Sequence, residues 1–143
     1  MNALNKNLQN LHASLTTFYA NVKNIHWNLK GKNFLIIHKY TDKLAAQTLD
    51  FIDEVAEKIV MLGGIALNLQ ETKVYSDLDF YNSMHWHEEK VWISLGYQIE
   101  LILKICKKIQ TSDSEQHFFV TPLIDELVLY YHKELWTIYA HTQ

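Results

Sequence analysis

The feature that most restricts the fold is a long apolar seam at the start of the chain. Apolar residues recur there at alternating spacings of four and three positions, which is the repeat of one face of an α-helix. The sequence predicts a long amphipathic helix ending near Lys30 and Gly31, because glycine can take the left-handed conformation that terminates helices. The seam consists of Leu4, Leu8, Leu11, Leu15, Phe18, Val22, Ile25 and Leu29.

The rest of the chain continues the helical pattern. Only four glycines and one proline occur in 143 residues, 48% of which are hydrophobic, so we expect few tight turns. A second helix is predicted over residues 33–62, ending at Gly63 and Gly64. A third is predicted over residues 85–109.

Local sequence signals place two further helices. Ser76 is a suitable N-cap for a short helix over residues 76–83. Thr121 as N-cap, with Pro122 at the first helical position, predicts a last helix that runs to about residue 140. The order of long, long, short, long and long helices predicts an all-α four-helix bundle with a short extra helix in the long crossover. A chain of this length is expected to form one domain, residues 1–143.

The second predicted helix carries two pairs of potential metal ligands. His38 and Asp42 are four positions apart, as are Asp53 and Glu57, so each pair projects from one face of the helix. At about 100° per residue, all four side chains fall within about 100° of one another around the helix axis. The fifteen residues from His38 to Asp53 span about 22 Å, so the two pairs cannot meet within one chain.

The two pairs share a midpoint, which lies between Gln47 and Thr48. A second copy of the helix, laid antiparallel about a two-fold axis at that midpoint, would place His38 opposite the other chain's Glu57. The same axis would place Asp42 opposite Asp53. Contacts between identical surfaces of this kind are the commonest geometry of homodimers. The spacing therefore predicts two mixed histidine and carboxylate sites in a dimer.

Nitrogen and oxygen ligands without thiolate suit Fe(II), Mn(II) or Zn(II). A shell rich in carboxylates favours iron that cycles to the harder Fe(III) state, so iron is the first choice. The alternative is that these residues are solvated charges on an ordinary amphipathic helix. That alternative fits either pair alone better than it fits four groups on one stripe arranged about one midpoint.

The residues around these pairs form a familiar motif. N-x-H-W-N-x-x-G-x-x-F-x-x-x-H-x-x-x-D, followed by D-x-x-A-E-K-I-x-x-L-G-G, resembles the Dps family of bacterial mini-ferritins, which have a ferritin-like fold. The resemblance is strong over residues 24–64 and loose elsewhere. Lys58 stands where the family usually has arginine, and Ala66 where it usually has proline. The residues that match are His26, Trp27, Gly31, Phe34, His38, Asp42, Asp53, Glu57, Leu62, Gly63 and Gly64.

The resemblance implies a ferroxidase that oxidises Fe(II), preferably with hydrogen peroxide, and stores Fe(III) as mineral. It implies a site between two-fold-related subunits of a hollow homododecamer, and a function in protection against oxidative damage. His26, His38 and Asp42 would come from one chain, and Asp53 and Glu57 from the other. It also implies that Trp27 lies beside the iron and can intercept radicals.

Other potential sites are weaker. His85, His87 and Glu89 could bind a second metal, although solvated residues at a helix start are the simpler interpretation.

His12 is expected on the surface or at an interface. No histidine follows a glutamate by three residues, so the di-iron motif built inside some helical bundles is not expected. The single cysteine, Cys106, is expected to be buried and inert.

Charge and hydropathy bear on partners and location. Thirteen lysines and no arginine face 16 acidic residues, so appreciable DNA binding at neutral pH is not expected. No secretion signal or membrane span is apparent, so a cytoplasmic protein is expected. Two alternative functions remain open: a DNA-compacting nucleoid protein with a vestigial metal site, and a helical interaction module with adventitious metal binding.

Overall fold

The computed structural model describes residues 2–143, and the regular structure of these residues is helical apart from one isolated bridge between Leu29 and Trp86. Four long helices and one short helix confirm the predicted all-α architecture with a short helix in the crossover. The elements are α1 (Ala3–Asn28), α2 (Phe34–Met61), α3 (Leu69–Thr72) with a following 3₁₀ turn (Lys73–Tyr75), α4 (Glu88–Gln110) and α5 (His117–Thr142).

The predicted seam of α1 forms the centre of the hydrophobic core. All eight of its residues are buried, and the most exposed of them, Leu29, has only 5% of its surface accessible. Phe18 meets Tyr131 of α5 edge to face, with ring centroids 6.1 Å apart. Tyr131 in turn hydrogen bonds through its hydroxyl to Thr48 of α2 at 2.8 Å. The seam therefore packs against the opposite helices of the bundle, as its periodicity predicts.

The crossover between α2 and α4 lies along α1, and polar side chains of α1 satisfy its backbone. Asn10 Nδ2 donates to the Tyr75 carbonyl at 2.7 Å, and Asn21 bonds the Asp79 carbonyl and the Tyr81 amide. The prediction that His12 lies on the surface or at an interface is wrong, because the crossover of the same chain covers it. His12 is buried beneath the crossover with its Nδ1 3.2 Å from Thr72 Oγ1, and burial lowers its pKa.

The predicted short helix at residues 76–83 is wrong in position. The helix forms earlier, where the Asn68 side chain accepts from the Gln70 and Glu71 amides. Ser76 does not cap a helix, because its hydroxyl bonds Leu78 and lies 2.9 Å from Thr17 Oγ1. The residues that follow Ser76 are held in an irregular path by α1 instead.

Three predicted helix ends also move. The first helix ends at Asn28, before Gly31, because Leu29 is extended and the Lys30 amide donates to the Trp86 carbonyl. Because Trp86 takes part in this contact, α4 begins at Glu88 and not at the predicted residue 85. The last helix begins at His117, and Thr121 lies inside it with its hydroxyl bonded to the His117 carbonyl, so Pro122 is within the helix.

No helix among residues 2–143 combines the length and the apolar character needed to cross a membrane.

Candidate metal centre

Two predicted ligand histidines are stacked on each other where α1 and α2 form a hairpin. His26 lies in the last turn of α1 and His38 in the second turn of α2. Their ring centroids are 3.9 Å apart with an interplanar angle of 14°, and Phe34 stacks on the far face of His38 at 4.8 Å. His26 is buried and His38 is half-buried. The hairpin thus restricts both rings before any metal ion binds.

Both histidines use Nδ1 for a hydrogen bond within the chain. His38 Nδ1 lies 3.2 Å from the His26 carbonyl oxygen, which can only accept, so His38 Nδ1 carries a proton. His26 Nδ1 lies 3.0 Å from Thr41 Oγ1. Metal-binding histidines in proteins are commonly oriented by such a bond from the second ring nitrogen. This arrangement leaves the Nε2 atom of His38 facing away from the bond and available as a metal ligand.

Asp42 adjoins His26 on the exposed side of the pair. Its Oδ1 lies 3.8 Å from His26 Nε2 and 3.9 Å from Lys23 Nζ, and its side chain is 68% exposed. Burial, His38 and Lys23 together lower the pKa of His26 below its ordinary 6.5, although Asp42 opposes them. The neutral imidazole that results is the form that binds metals. We call His26, His38 and Asp42 the histidine end of α2.

The remaining predicted ligands form the carboxylate end of α2, which consists of Asp53 and Glu57. Both are exposed, and within residues 2–143 neither side chain has a hydrogen bond or an ion pair. In the same part of the chain no three His, Cys, Asp or Glu side chains converge closely enough to hold a metal ion. The fold brings His26 against His38 and Asp42, and it leaves Asp53 and Glu57 about four helical turns away.

The carboxylate end has a strongly acidic environment. Partial burial and the neighbouring carboxylates of Glu126 and Asp50 raise the pKa of Glu54, with smaller effects from Glu57 and Asp53. Glu126 belongs to α5, so acids from two helices meet on this side of the bundle. The positive and negative charges of α2 are thus unevenly distributed, with Lys39 and Lys43 in its first half.

Exposed apolar residues share the face of α2 that carries the ligands. Leu49 is 48% exposed and Val60 56%, whereas apolar residues of an amphipathic helix are ordinarily expected on its core side. Leu35, at the other end, is 61% exposed. Leu35 and Val60 have the same midpoint as the two ligand pairs, and so do Phe34 and Met61. The apolar residues therefore repeat the symmetry of the ligands, a signal that the sequence contained but that ligand spacing alone did not show.

Three other predicted positions, Trp27, His85 and His87, are also exposed. Trp27 has 69% of its surface accessible, and Lys23 Nζ lies 5.7 Å from its ring centroid. His85 and His87 precede α4 instead of lying in it, so His85 and Glu89 are not neighbours on one helix. No metal-holding cluster occurs there among the residues described.

Sequence reasoning missed Lys23 and Thr41 at the histidine end. Lys23 lies three residues before His26 on the same helix face, and this spacing could have identified it. The contact of Thr41 with His26 depends on how α1 and α2 close on each other, which no local pattern specifies.

Comparison with known proteins agrees with this architecture. The chain matches the ferritin-like domain family over residues 1–143. A DNA protection during starvation protein of Agrobacterium fabrum is 30% identical over 136 residues, covering 92% of this chain and 82% of that protein. A protein of the same name from Helicobacter pylori is 26% identical over 136 residues, covering 94% of each chain.

Solved structures show the same fold. The crystal structure of the DPS protein from Vibrio cholerae O1, described as a member of a superfamily of ferritin-like diiron-carboxylate proteins, superimposes with a TM-score of 0.91. It is 20% identical, and the match covers 98% of this chain and 89% of that one. The chain belongs to the ferritin-like family. Within that family it is a Dps-type mini-ferritin.

Proposed function

We propose that this protein is a cytoplasmic ferroxidase that oxidises Fe(II) with hydrogen peroxide and stores Fe(III) as mineral in a hollow homododecamer. Iron storage and protection against oxidative damage are general functions of the family to which the chain belongs. The observation that carries the specific proposal is the pair of stacked histidines beside Asp42, with the complementary carboxylates at the other end of the same helix.

The spacing at the histidine end suits a bound metal ion. The 3.8 Å between His26 Nε2 and Asp42 Oδ1 is too long for a hydrogen bond. One ion between the two atoms could be reached by both, because metal bonds to histidine nitrogen and carboxylate oxygen are each about 2 Å long and a small approach of the exposed Asp42 would bring them to normal coordination angles. Two Nε2 atoms and one carboxylate alone leave the coordination of iron incomplete, so further ligands are needed.

A second copy of the chain would supply those ligands. In an antiparallel pair of α2 helices, the partner's Asp53 and Glu57 would lie opposite Asp42 and His38. Apolar residues support this register, because Leu35 would meet the partner's Val60, and Leu49 would lie next to the two-fold axis. Burial of such residues is a main source of the free energy of association.

Charge supports the same register. The first half of α2 carries Lys39 and Lys43 with one aspartate, whereas the second half carries four acids and one lysine. An antiparallel pair places the basic half of each helix against the acidic half of the other. Opposite charges in such a contact favour the correct register and disfavour a parallel one.

The proposed chemistry uses the iron as substrate. Two Fe(II) ions supply the two electrons that reduce one hydrogen peroxide to two waters, with the uptake of two protons. Carboxylate oxygens from both chains favour the Fe(III) product, because they are hard ligands. Reduction by two electrons avoids release of hydroxyl radical. Trp27, two-thirds exposed beside His26, is proposed to intercept radicals that still form.

Complementation between chains tests the shared site. In a mixed dimer of Asp42→Ala and Glu57→Ala chains, both lesions fall in one site and the other site is whole. Random mixing should therefore restore about a quarter of the wild-type rate of peroxide-dependent Fe(II) oxidation. Each variant alone, and His26→Ala, His38→Ala or Asp53→Ala, should oxidise Fe(II) at least about tenfold more slowly while remaining helical.

A mixture of Asp42→Ala and His38→Ala chains is the matched control. Both of these lesions lie in the histidine end, so every site of a mixed dimer contains one, and no activity should return. Equal recovery in the two mixtures, or recovery in neither, would contradict the shared site. Wild-type rates in the single variants would contradict the ligand assignment itself.

A further inference from the structure

A fully buried threonine beside His26 has more hydrogen-bond contacts than one hydroxyl proton can serve. Thr41 Oγ1 lies 2.8 Å from the Ile37 carbonyl oxygen and 3.1 Å from the His38 carbonyl oxygen. It also lies 3.0 Å from His26 Nδ1. The direction of each hydrogen bond therefore follows from counting protons.

The two carbonyl oxygens can only accept, so the single proton of the Thr41 hydroxyl belongs with one of them. A threonine inside a helix commonly donates to the carbonyl four residues earlier, which here is Ile37. The hydroxyl oxygen must then accept from His26, so His26 Nδ1 carries the proton. The reverse direction would leave Thr41 Oγ1 and the Ile37 oxygen 2.8 Å apart with no proton between them.

We propose that Thr41 is a positioning residue that fixes the tautomer and the orientation of His26, so that Nε2 is free to bind the metal ion. This inference rests on the metal site proposed above. A neutral imidazole with its proton on Nδ1 has its lone pair on Nε2, the atom that faces Asp42. His38 is oriented by a backbone carbonyl, whereas His26 depends on a side chain. Substitution can therefore perturb one histidine and spare the other.

The chain offers closely matched variants. Thr41→Val keeps the shape and removes the hydroxyl, and Thr41→Ser keeps the hydroxyl. Thr48→Val is the control, because Thr48 is also fully buried on α2 and bonds Tyr131 through its hydroxyl, seven residues away from Thr41. It removes the same group from the same helix without touching a proposed ligand. Circular dichroism would compare the folding of all three.

The tautomer can be measured without any metal. Solid-state ¹⁵N spectra of histidine-labelled, metal-free protein distinguish the two neutral tautomers, and the His26 signal is identified by its loss in His26→Gln. We expect the Nδ1-protonated tautomer in the wild type, in Thr41→Ser and in Thr48→Val. We expect a substantial Nε2-protonated population in Thr41→Val.

Co(II) binding, followed by calorimetry and absorption, measures the consequence. Affinity should fall about 10- to 100-fold in Thr41→Val, the usual range for loss of a bond that orients a ligand. It should fall little in Thr41→Ser or Thr48→Val. A wild-type His26 protonated on Nε2, or equal affinities for Thr41→Val and Thr48→Val, would overturn the inference. Wild-type protein that binds no Co(II) would overturn the metal site instead, and the tautomer measurement would then decide the inference alone.

Discussion

The two ends of α2 differ in how far one chain prepares them for metal binding. At the histidine end, the hairpin stacks two imidazoles, and hydrogen bonds occupy both Nδ1 atoms. At the carboxylate end, Asp53 and Glu57 extend into solvent, and the residues described provide them with no partner. One end is an ordered cluster of side chains, and the other is a pair of exposed carboxyl groups on a helix.

The difference has a physical reason. An imidazole with one free lone pair must be aimed correctly, so it gains from rigid support by the fold. A carboxylate offers two equivalent oxygens and is already ionised at neutral pH, so it can adjust when a partner chain and a metal ion arrive. A shared site can thus be built from one rigid half and one adaptable half, and its completion then requires assembly.

The largest effect on assembly and activity should come from separating the histidine end of one chain from the carboxylate end of its partner, without altering any ligand. Leu49→Glu would place two facing carboxylates beside the two-fold axis, with a penalty of several kcal/mol. The dissociation constant of the dimer should rise roughly 100-fold or more, and Fe(II) oxidation should fall with it. Sedimentation at several protein concentrations and peroxide-dependent oxidation rates would measure both effects.

Ile93→Glu provides the control for that experiment. Ile93 is 61% exposed on α4, outside the ligand-bearing face of α2. Its substitution therefore introduces the same carboxylate in place of an exposed apolar side chain, away from the proposed contact. Activity should survive in this variant. An active, fully assembled Leu49→Glu protein would show that the two ends do not meet as proposed.

An intermediate effect should appear in the pH dependence of folding. Burial lowers the pKa of His26, with help from His38 and Lys23, and burial lowers the pKa of His12, both from an ordinary 6.5. Below pH 6.5 the unfolded chain therefore binds more protons than the folded chain. The stabilisation is fully present above pH 6.5 and is lost as the pH falls through the lowered pKa values.

Urea unfolding at fixed protein concentration between pH 7.5 and about 5 would test this. We expect His26→Gln and His12→Gln each to make the decline in the free energy of unfolding shallower. The double variant should make it shallower still. If all the profiles ran parallel to that of the wild type, the histidine end would not be held neutral by its surroundings.

The smallest measured signal should be DNA binding. Lys39 and Lys43 are the cations of the first half of α2, and the proposed dimer places them against the partner's acidic half. With no arginine and a net charge of −3 per chain, the protein has no excess of positive charge with which to bind phosphate. Gel-shift titration at neutral pH and about 0.15 M salt should show no complex at sub-micromolar protein. Retardation in that range would revive the DNA-compacting alternative and break the proposed charge pairing.

The sequence predicted what depends on local repeats. The apolar seam of α1 is buried throughout, and α2 begins and ends within one residue of its predicted bounds. Ser76 and Thr121 were wrongly predicted to cap helices because each is a residue type that favours the N-cap. In the structure the Ser76 hydroxyl contacts Thr17, and the Thr121 hydroxyl bonds a carbonyl inside its own helix. Leu49 and Val60 misled because an apolar residue indicates burial without saying whether its own chain or another supplies the cover. Whether the five proposed ligands act together stays a prediction.

The position of Cys106 has a consequence for chemical durability. The thiol is completely buried in α4, and burial raises its pKa to about 12. Peroxide attacks the thiolate, and the thiolate fraction at neutral pH is on the order of one in 10⁵ at that pKa. Sulfenic acid, the first product of thiol oxidation, should therefore form very slowly. In the proposed ferroxidase, this burial would keep the one thiol from becoming the site at which the protein is inactivated.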